Sequence, residues 1–112
     1  MQVKSVAKNV AVSPKKVRLI LEHLPGRRVD EVLARLRFLP SPHARMVAKA
    51  VQSAAANAEN NYQMDPRFLK VVAAYAGDGL RLKRWRARAR GRAARRIRRR
   101  AHITVVVEEM EV

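Results

Sequence analysis

Between residues 81 and 100 the chain carries 12 lysines and arginines in 20 positions and no carboxylate. A block of like charge usually forms a solvated tail, because its side chains repel and it has no apolar surface to bury. Two properties of this block argue for something else. It is internal: a strand-like run, Phe68–Ala76, precedes it, and the β-rich run His102–Glu109 follows it. Both ends are therefore pinned, and the segment has to go out and come back. It is also patterned, with Arg84, Arg86, Arg88, Arg90 and Arg92 at every second position and Trp85, Ala87, Ala89 and Gly91 between them. In an extended chain that alternation places the arginines on one face and the small groups and tryptophan on the other. A long β-hairpin over 79–100 is the economical fold. Folding the segment at its middle gives about 11 residues per limb, roughly 35–40 Å at ~3.3 Å per residue.

A two-stranded ribbon with this little apolar surface cannot be stabilised by its own contacts. It needs a partner that supplies negative charge along its length, and RNA does so. The arm has one lysine and eleven arginines, a bias toward the side chain that pairs bidentately with phosphate and stacks on exposed bases. Its candidate RNA contacts are Arg81, Lys83, Arg84, Arg86, Arg88, Arg90 and Arg92 on the way out, and Arg95, Arg96, Arg98, Arg99 and Arg100 on the return. Trp85 either stacks on a base or braces the ribbon.

The other 92 residues hold 13 basic and 9 acidic side chains, so most of the formal charge of +16 sits in the arm. At 112 residues the chain is one domain, with a globular part over 1–78 and 101–112. Val3, Val6, Val10 and Val12 predict an opening strand. Ser13-Pro14 starts a helix, with Val17, Ile20, Leu21 and Leu24 at helical spacing and Pro25-Gly26 as its stop. Lys15, Lys16 and Arg18 crowd the first turns of that helix, the unfavourable end of its dipole for cations. They mark either an external anion or a solvated basic face. A second helix fits Asp30–Leu39, capped by Asp30, with Val32, Leu33, Leu36 and Leu39 as its stripe. A third runs from Pro42 to about Asn60, its apolar face built from Ala44, Val47, Ala48, Val51, Ala54, Ala55 and Ala58. Small residues there allow close approach to its neighbours and place it at the centre of the domain. Met64-Asp65-Pro66 and Gly77-Asp78-Gly79 read as turns.

Several functional classes are disfavoured. The longest wholly apolar run, Val71–Ala76, is far short of the roughly 20 residues of a spanning helix. The N-terminus has lysines but no continuous apolar core, so it does not read as a signal peptide, and no membrane partner is expected. No cysteine is present to hold a thiolate metal or a disulfide. His23, His43 and His102 are widely spaced, Asp30-Glu31 is explained by capping, and Gly77-Asp78-Gly79 lacks the pattern of a phosphate loop. The chain therefore reads as a cytoplasmic protein without catalysis, cofactor or metal. Two rivals share its basic arm: a DNA-bending architectural protein and a cationic membrane-active domain.

Ser13–Leu19, SPKKVRL, resembles the SP[RK]KVRL segment of the large-ribosomal-subunit protein twenty-two family. Ser53–Asn61, SAAANAENN, looks like that family's central helix end, and Gly91-Arg92-Ala93 and His102–Val107 fall where its hairpin returns to the sheet. The resemblance covers nearly the whole chain in the right order. It implies an α+β fold, three helices packed on a three-stranded antiparallel sheet with a long extended β-hairpin. It also implies a place: the globular part on the outer surface of the large subunit, the hairpin threading inward along the wall of the peptide exit tunnel. Its implied partners are large-subunit ribosomal RNA, neighbouring large-subunit proteins and the nascent polypeptide, with a role in early assembly and no homo-oligomer. The implied tunnel segment is Leu82, Lys83, Arg84, Trp85, Arg86, Ala87, Arg88, Ala89, Arg90 and Gly91, its tip at Arg86–Gly91. Leu82-Lys83-Arg84 matches the family's Met-Lys-Arg, a region where changes alter the response to macrolide antibiotics. The chain departs from the family at Ala87, where proline is common, and at Trp85, where a smaller apolar residue is common.

Overall fold

The valine-rich opening forms a strand because β-branched side chains suit a pleated, half-buried surface. In the computed structural model, which describes residues 2–79, 82–87 and 93–110, that strand is β1, Gln2–Val10. Three helices follow: α1 (Pro14–Leu21), α2 (Val29–Phe38) and α3 (Ala44–Tyr62). After a single 3-10 turn, Pro66–Phe68, come β2 (Leu69–Asp78), β3 (Leu82–Ala87), β4 (Ala93–Arg98) and β5 (Ala101–Glu109). One antiparallel sheet has the order β1-β5-β2, and β3 and β4 form a separate two-stranded antiparallel ribbon. The expected α+β architecture of three helices on a three-stranded antiparallel sheet is the one observed.

Helix α3 lies across β1 and β5, α1 packs on β2, and α2 packs on α3. The expected small face of α3 is what permits this. Of its expected residues Ala44, Val47, Val51, Ala54 and Ala58 are buried and Ala48 and Ala55 half-buried, and Ala50 joins the buried set, so the helix backbone comes close to the sheet. Ile103, Val105 and Val107 alternate along the central strand and meet it, and Leu21 and Leu69 close the core from α1 and β2. The first strand departs from its expected pattern at one point. Val3 is inward and buried, but Ser5 takes the next inward position and Val6 is 41 % exposed. The strict two-residue alternation of the pleat decides this, since Val6 is three residues from Val3.

Helix ends also differ from expectation. Ser13 stands at the N-cap of α1 with Pro14 behind it, as the dipeptide predicts, but makes no side-chain capping bond. The helix ends at Leu21, ahead of Pro25-Gly26, and Gly26 instead supplies a left-handed turn at φ +86° that lets its N–H reach Val71 O at 2.7 Å. In α2 the N-cap is Arg28, and Asp30 lies inside the first turn beside Glu31, where both carboxylates complement the helix dipole. Leu39 falls past the end of α2 in extended backbone and is 42 % exposed.

Helix α3 passes through Asn60-Asn61 and stops at Gln63, which adopts the left-handed conformation at φ 53°. Its N–H bonds to Glu59 O, and the N–H of Met64 reaches back to Ala58 O at 3.1 Å. Met64 is buried, so the hydrophobic contact beyond the helix sets the stopping point, not the more tolerant asparagines. A non-glycine residue pays a steric cost in this conformation. Gln63→Gly is therefore expected to stabilise the domain by about 1 kcal/mol, raising the melting temperature by several degrees in a thermal scan.

Gly77-Asp78-Gly79 is not a turn. Gly77 and Asp78 continue β2, paired with His102 and Ala101 of β5, and Gly79 donates its N–H to Arg100 O at 2.8 Å. A Cβ on Gly79 would stand 3.0 Å from Asn9 Oδ1 and 3.1 Å from Arg100 O. Gly79 thus serves close approach where three chain segments converge, whereas a Cβ on Gly77 would meet nothing within 4 Å, and the sheet runs on toward the hairpin.

Candidate nucleic-acid interface

Strands β3 and β4 pair in the register Leu82↔Arg98, Lys83↔Ile97, Arg84↔Arg96, Trp85↔Arg95, Arg86↔Ala94 and Ala87↔Ala93. Directly opposite residues share a face of the ribbon, and faces alternate along each strand. One face therefore takes Arg84, Arg86, Arg96 and Arg98 with Leu82 and Ala94. The other takes Trp85, Ile97, Ala87 and Ala93 with Lys83 and Arg95. The ribbon puts Arg84 directly opposite Arg96, a pairing of like charges that destabilises a free two-stranded ladder. No carboxylate occurs in either strand to offset it.

Leu82, Lys83, Arg84, Trp85, Arg86 and Ala87 thus form the outgoing limb, and Arg95, Arg96 and Arg98 lie on the returning one. Arg81, Arg88, Ala89, Arg90, Gly91 and Arg92 lie outside the described residues. The molecule measures 67 × 27 × 17 Å along its principal axes, with a radius of gyration of 17.2 Å. A compact chain of this length has ~13 Å, so the fold is markedly elongated.

The root of the ribbon is tied to the globular part by polar contacts. Arg100 Nη1 donates to Asn9 O at 3.2 Å, and the Asn9 N–H donates to His102 Nδ1 at 3.0 Å. Asn9 reaches this position by a left-handed φ of 52° at an irregularity in β1 between Ala7 and Val10. Asparagine accepts that conformation more readily than most residues.

Of the three cations on α1, Lys15 and Lys16 are exposed. Arg18 has a structural duty as well: its Nε and Nη2 both donate to Ala76 O, at 3.1 and 2.9 Å, tying the helix to β2. Sequence reasoning passed over Arg37 and Arg45, which face a groove of about 390 Å³ between α2 and α3. They belong to different helices, so no spacing rule relates them.

Glu31 and Asp65 are occupied by local structure. Glu31 pairs with Arg27 at 2.9 Å and with Arg35 at 3.2 Å. Asp65 caps the 3-10 turn through the Arg67 N–H, and hydrogen bonding from Arg67 holds its carboxyl below the usual carboxylate range. Among the described residues no group of histidines and carboxylates is placed to hold a metal ion, and no helix is long and apolar enough to cross a membrane.

Comparison with known proteins gives this arrangement its context. Residues 5–108 match the family model described as ribosomal protein L22p/L17e. The large ribosomal subunit protein uL22 of Dehalococcoides mccartyi is 47 % identical over 109 residues, spanning 97 % of this chain and 100 % of the relative. The protein of the same name from Roseiflexus castenholzii is 48 % identical, with 99 % and 98 % covered. That from Finegoldia magna is 45 % identical over the full length of both chains. With the match running from β1 through β5 and including both limbs of the ribbon, the chain belongs to the ribosomal protein L22p/L17e family.

Proposed function

We propose that the chain is a structural constituent of the large ribosomal subunit. It binds large-subunit ribosomal RNA through its basic hairpin and through the cationic first turns of α1, supports early assembly, and lines the wall of the peptide exit tunnel with the hairpin. Neighbouring large-subunit proteins and the nascent polypeptide are its other partners. Its role is architectural and not enzymatic, and its place is the cytoplasmic ribosome.

The observation that carries the RNA reading is the register of the ribbon. Six of the twelve residues in β3 and β4 are cationic, and Arg84 faces Arg96 across the ladder. That geometry is unfavourable alone and becomes favourable when phosphates run along it, because each contact releases condensed counterions. The two faces suit two surroundings. The face bearing Arg84, Arg86, Arg96 and Arg98 matches a phosphate-lined wall, while the face bearing Trp85, Ile97 and two alanines suits base stacking or a narrow lumen.

The test is a binding series with large-subunit RNA and with duplex DNA of equal length across a range of salt. Preference for the RNA should persist at ~0.2 M salt, where counterion release alone does not distinguish nucleic acids. Equal affinity there would point to the DNA-bending alternative, and binding to anionic vesicles with none to RNA would point to a membrane-active domain.

A further inference from the structure

The loop between β1 and α1, the first turn of α1 and the segment joining β4 to β5 meet around a concavity of about 510 Å³. Ser13 and Lys16 line it from the α1 side, Arg99 and Arg100 from the hairpin side, and His43 from the start of α3. Three cations share this space and no carboxylate lines it. The side chains of Lys16 and Arg99 have no hydrogen bond or ion pair among the described residues, and Arg100 contributes a single contact, Nη1 to Asn9 O. Ser13 makes no capping bond with its hydroxyl. Nδ1 of His43 is buried and has no hydrogen-bond partner among the described residues. Buried polar atoms are nearly always satisfied, and neighbouring like charges raise one another's energy. The concavity is thus rich in donors and positive charge and has no anionic group to balance them.

We propose that this concavity is a phosphate-binding site that seats one phosphodiester of the bound RNA and clamps the hairpin root to helix α1. A tetrahedral oxyanion can accept from lysine, arginine and serine at once, and charge-assisted bonds of this kind are the strong ones. The ligands come from two bodies. Lys16 and Ser13 belong to the globular domain, whereas Arg99 and Arg100 are where the returning limb enters β5. An anion held by both fixes the direction in which the ribbon leaves the domain. The identity of the phosphate rests on the RNA reading above; the site itself does not.

The experiment is a titration of the full-length isotope-labelled chain with inorganic phosphate at constant ionic strength, followed by NMR, with dimethyl phosphate as a second arm. Saturable shifts should concentrate at Ser13, Lys16, Arg99 and Arg100, and both anions should move the same signals. Lys16→Ala and Arg99→Ala, at exposed positions that leave the fold intact, should each weaken binding about tenfold, the loss of one charge-assisted hydrogen bond. Shifts that never saturate and spread over all basic residues, or a titration unchanged in both variants, would overturn the site. Binding of inorganic phosphate with no response to the diester would overturn its assignment to RNA. Failure of the site leaves the RNA reading standing if the variants still bind large-subunit RNA. Failure of the chain to bind that RNA sinks the reading, while the phosphate titration still decides the site.

Discussion

Replacing Arg84, Arg86, Arg96 and Arg98 together with alanine is expected to weaken binding to large-subunit RNA by about 10²–10³-fold at ~0.15 M salt. The estimate follows from counterion release: each lost phosphate contact lowers the slope of log affinity against log salt by ~0.7–0.9. Four contacts therefore flatten the slope by about 3, and the loss shrinks as salt rises. The same variant should melt at nearly the same temperature as the unaltered chain, or slightly higher, because the substitution removes the opposition of Arg84 and Arg96 across the ladder. A four-lysine variant separates charge from shape. It should keep the salt slope while losing part of the affinity, because an ammonium cannot form the bidentate pair of a guanidinium. A large drop in melting temperature in the alanine variant would mean that these side chains pack on their own domain.

The opposite pattern is expected from Ile103→Ala. Ile103 is fully buried near the start of the central strand, and its cross-strand neighbours are the small residues Ala7 and Ala76. Neither can move in to fill the space, and α3, already close to the sheet, presents there mainly short alanine side chains, so a cavity remains. Truncations of this type cost ~2–5 kcal/mol, transfer and cavity contributions combined. That is a large share of the ~5–15 kcal/mol by which a domain is ordinarily stable. Denaturant titration should show a lower midpoint with an unchanged slope, and below the melting transition the RNA salt slope should match the unaltered chain. Taken together, the two variants test whether folding and RNA binding are carried by separate parts of the molecule. If Ile103→Ala flattened the salt slope as the arginine variant does, the two parts would not be separable.

Much of this division is legible in the sequence, for identifiable reasons. The alanine-rich face of α3 is a three-to-four-residue repeat of small side chains, and such a repeat has one way to be buried. The hairpin is legible because two apolar runs bracket a charged segment that has to return. Other features were hidden because they depend on contacts between distant segments. Gly77-Asp78-Gly79 has the composition of a turn, yet pairing with Ala101 and His102 keeps it in the sheet. Asn60-Asn61 looks like a helix stop, yet burial of Met64 carries α3 on to Tyr62. Val6 belongs to a valine-rich run, but the pleat turns it outward. Lys16 and Arg99 read separately as members of two basic clusters. That they share one concavity depends on how β1 leads into α1 and how β4 leads into β5.

The central claim is that the chain is built into the large subunit by contacts along its hairpin. The most direct measurement is co-sedimentation of tagged chain with large subunits after assembly in cells, followed by a wash at high salt. The unaltered chain should remain at one copy per large subunit, whereas the four-alanine hairpin variant should be depleted from the particles while staying folded. Release of the unaltered chain by the wash, or full retention of the hairpin variant, would contradict the account.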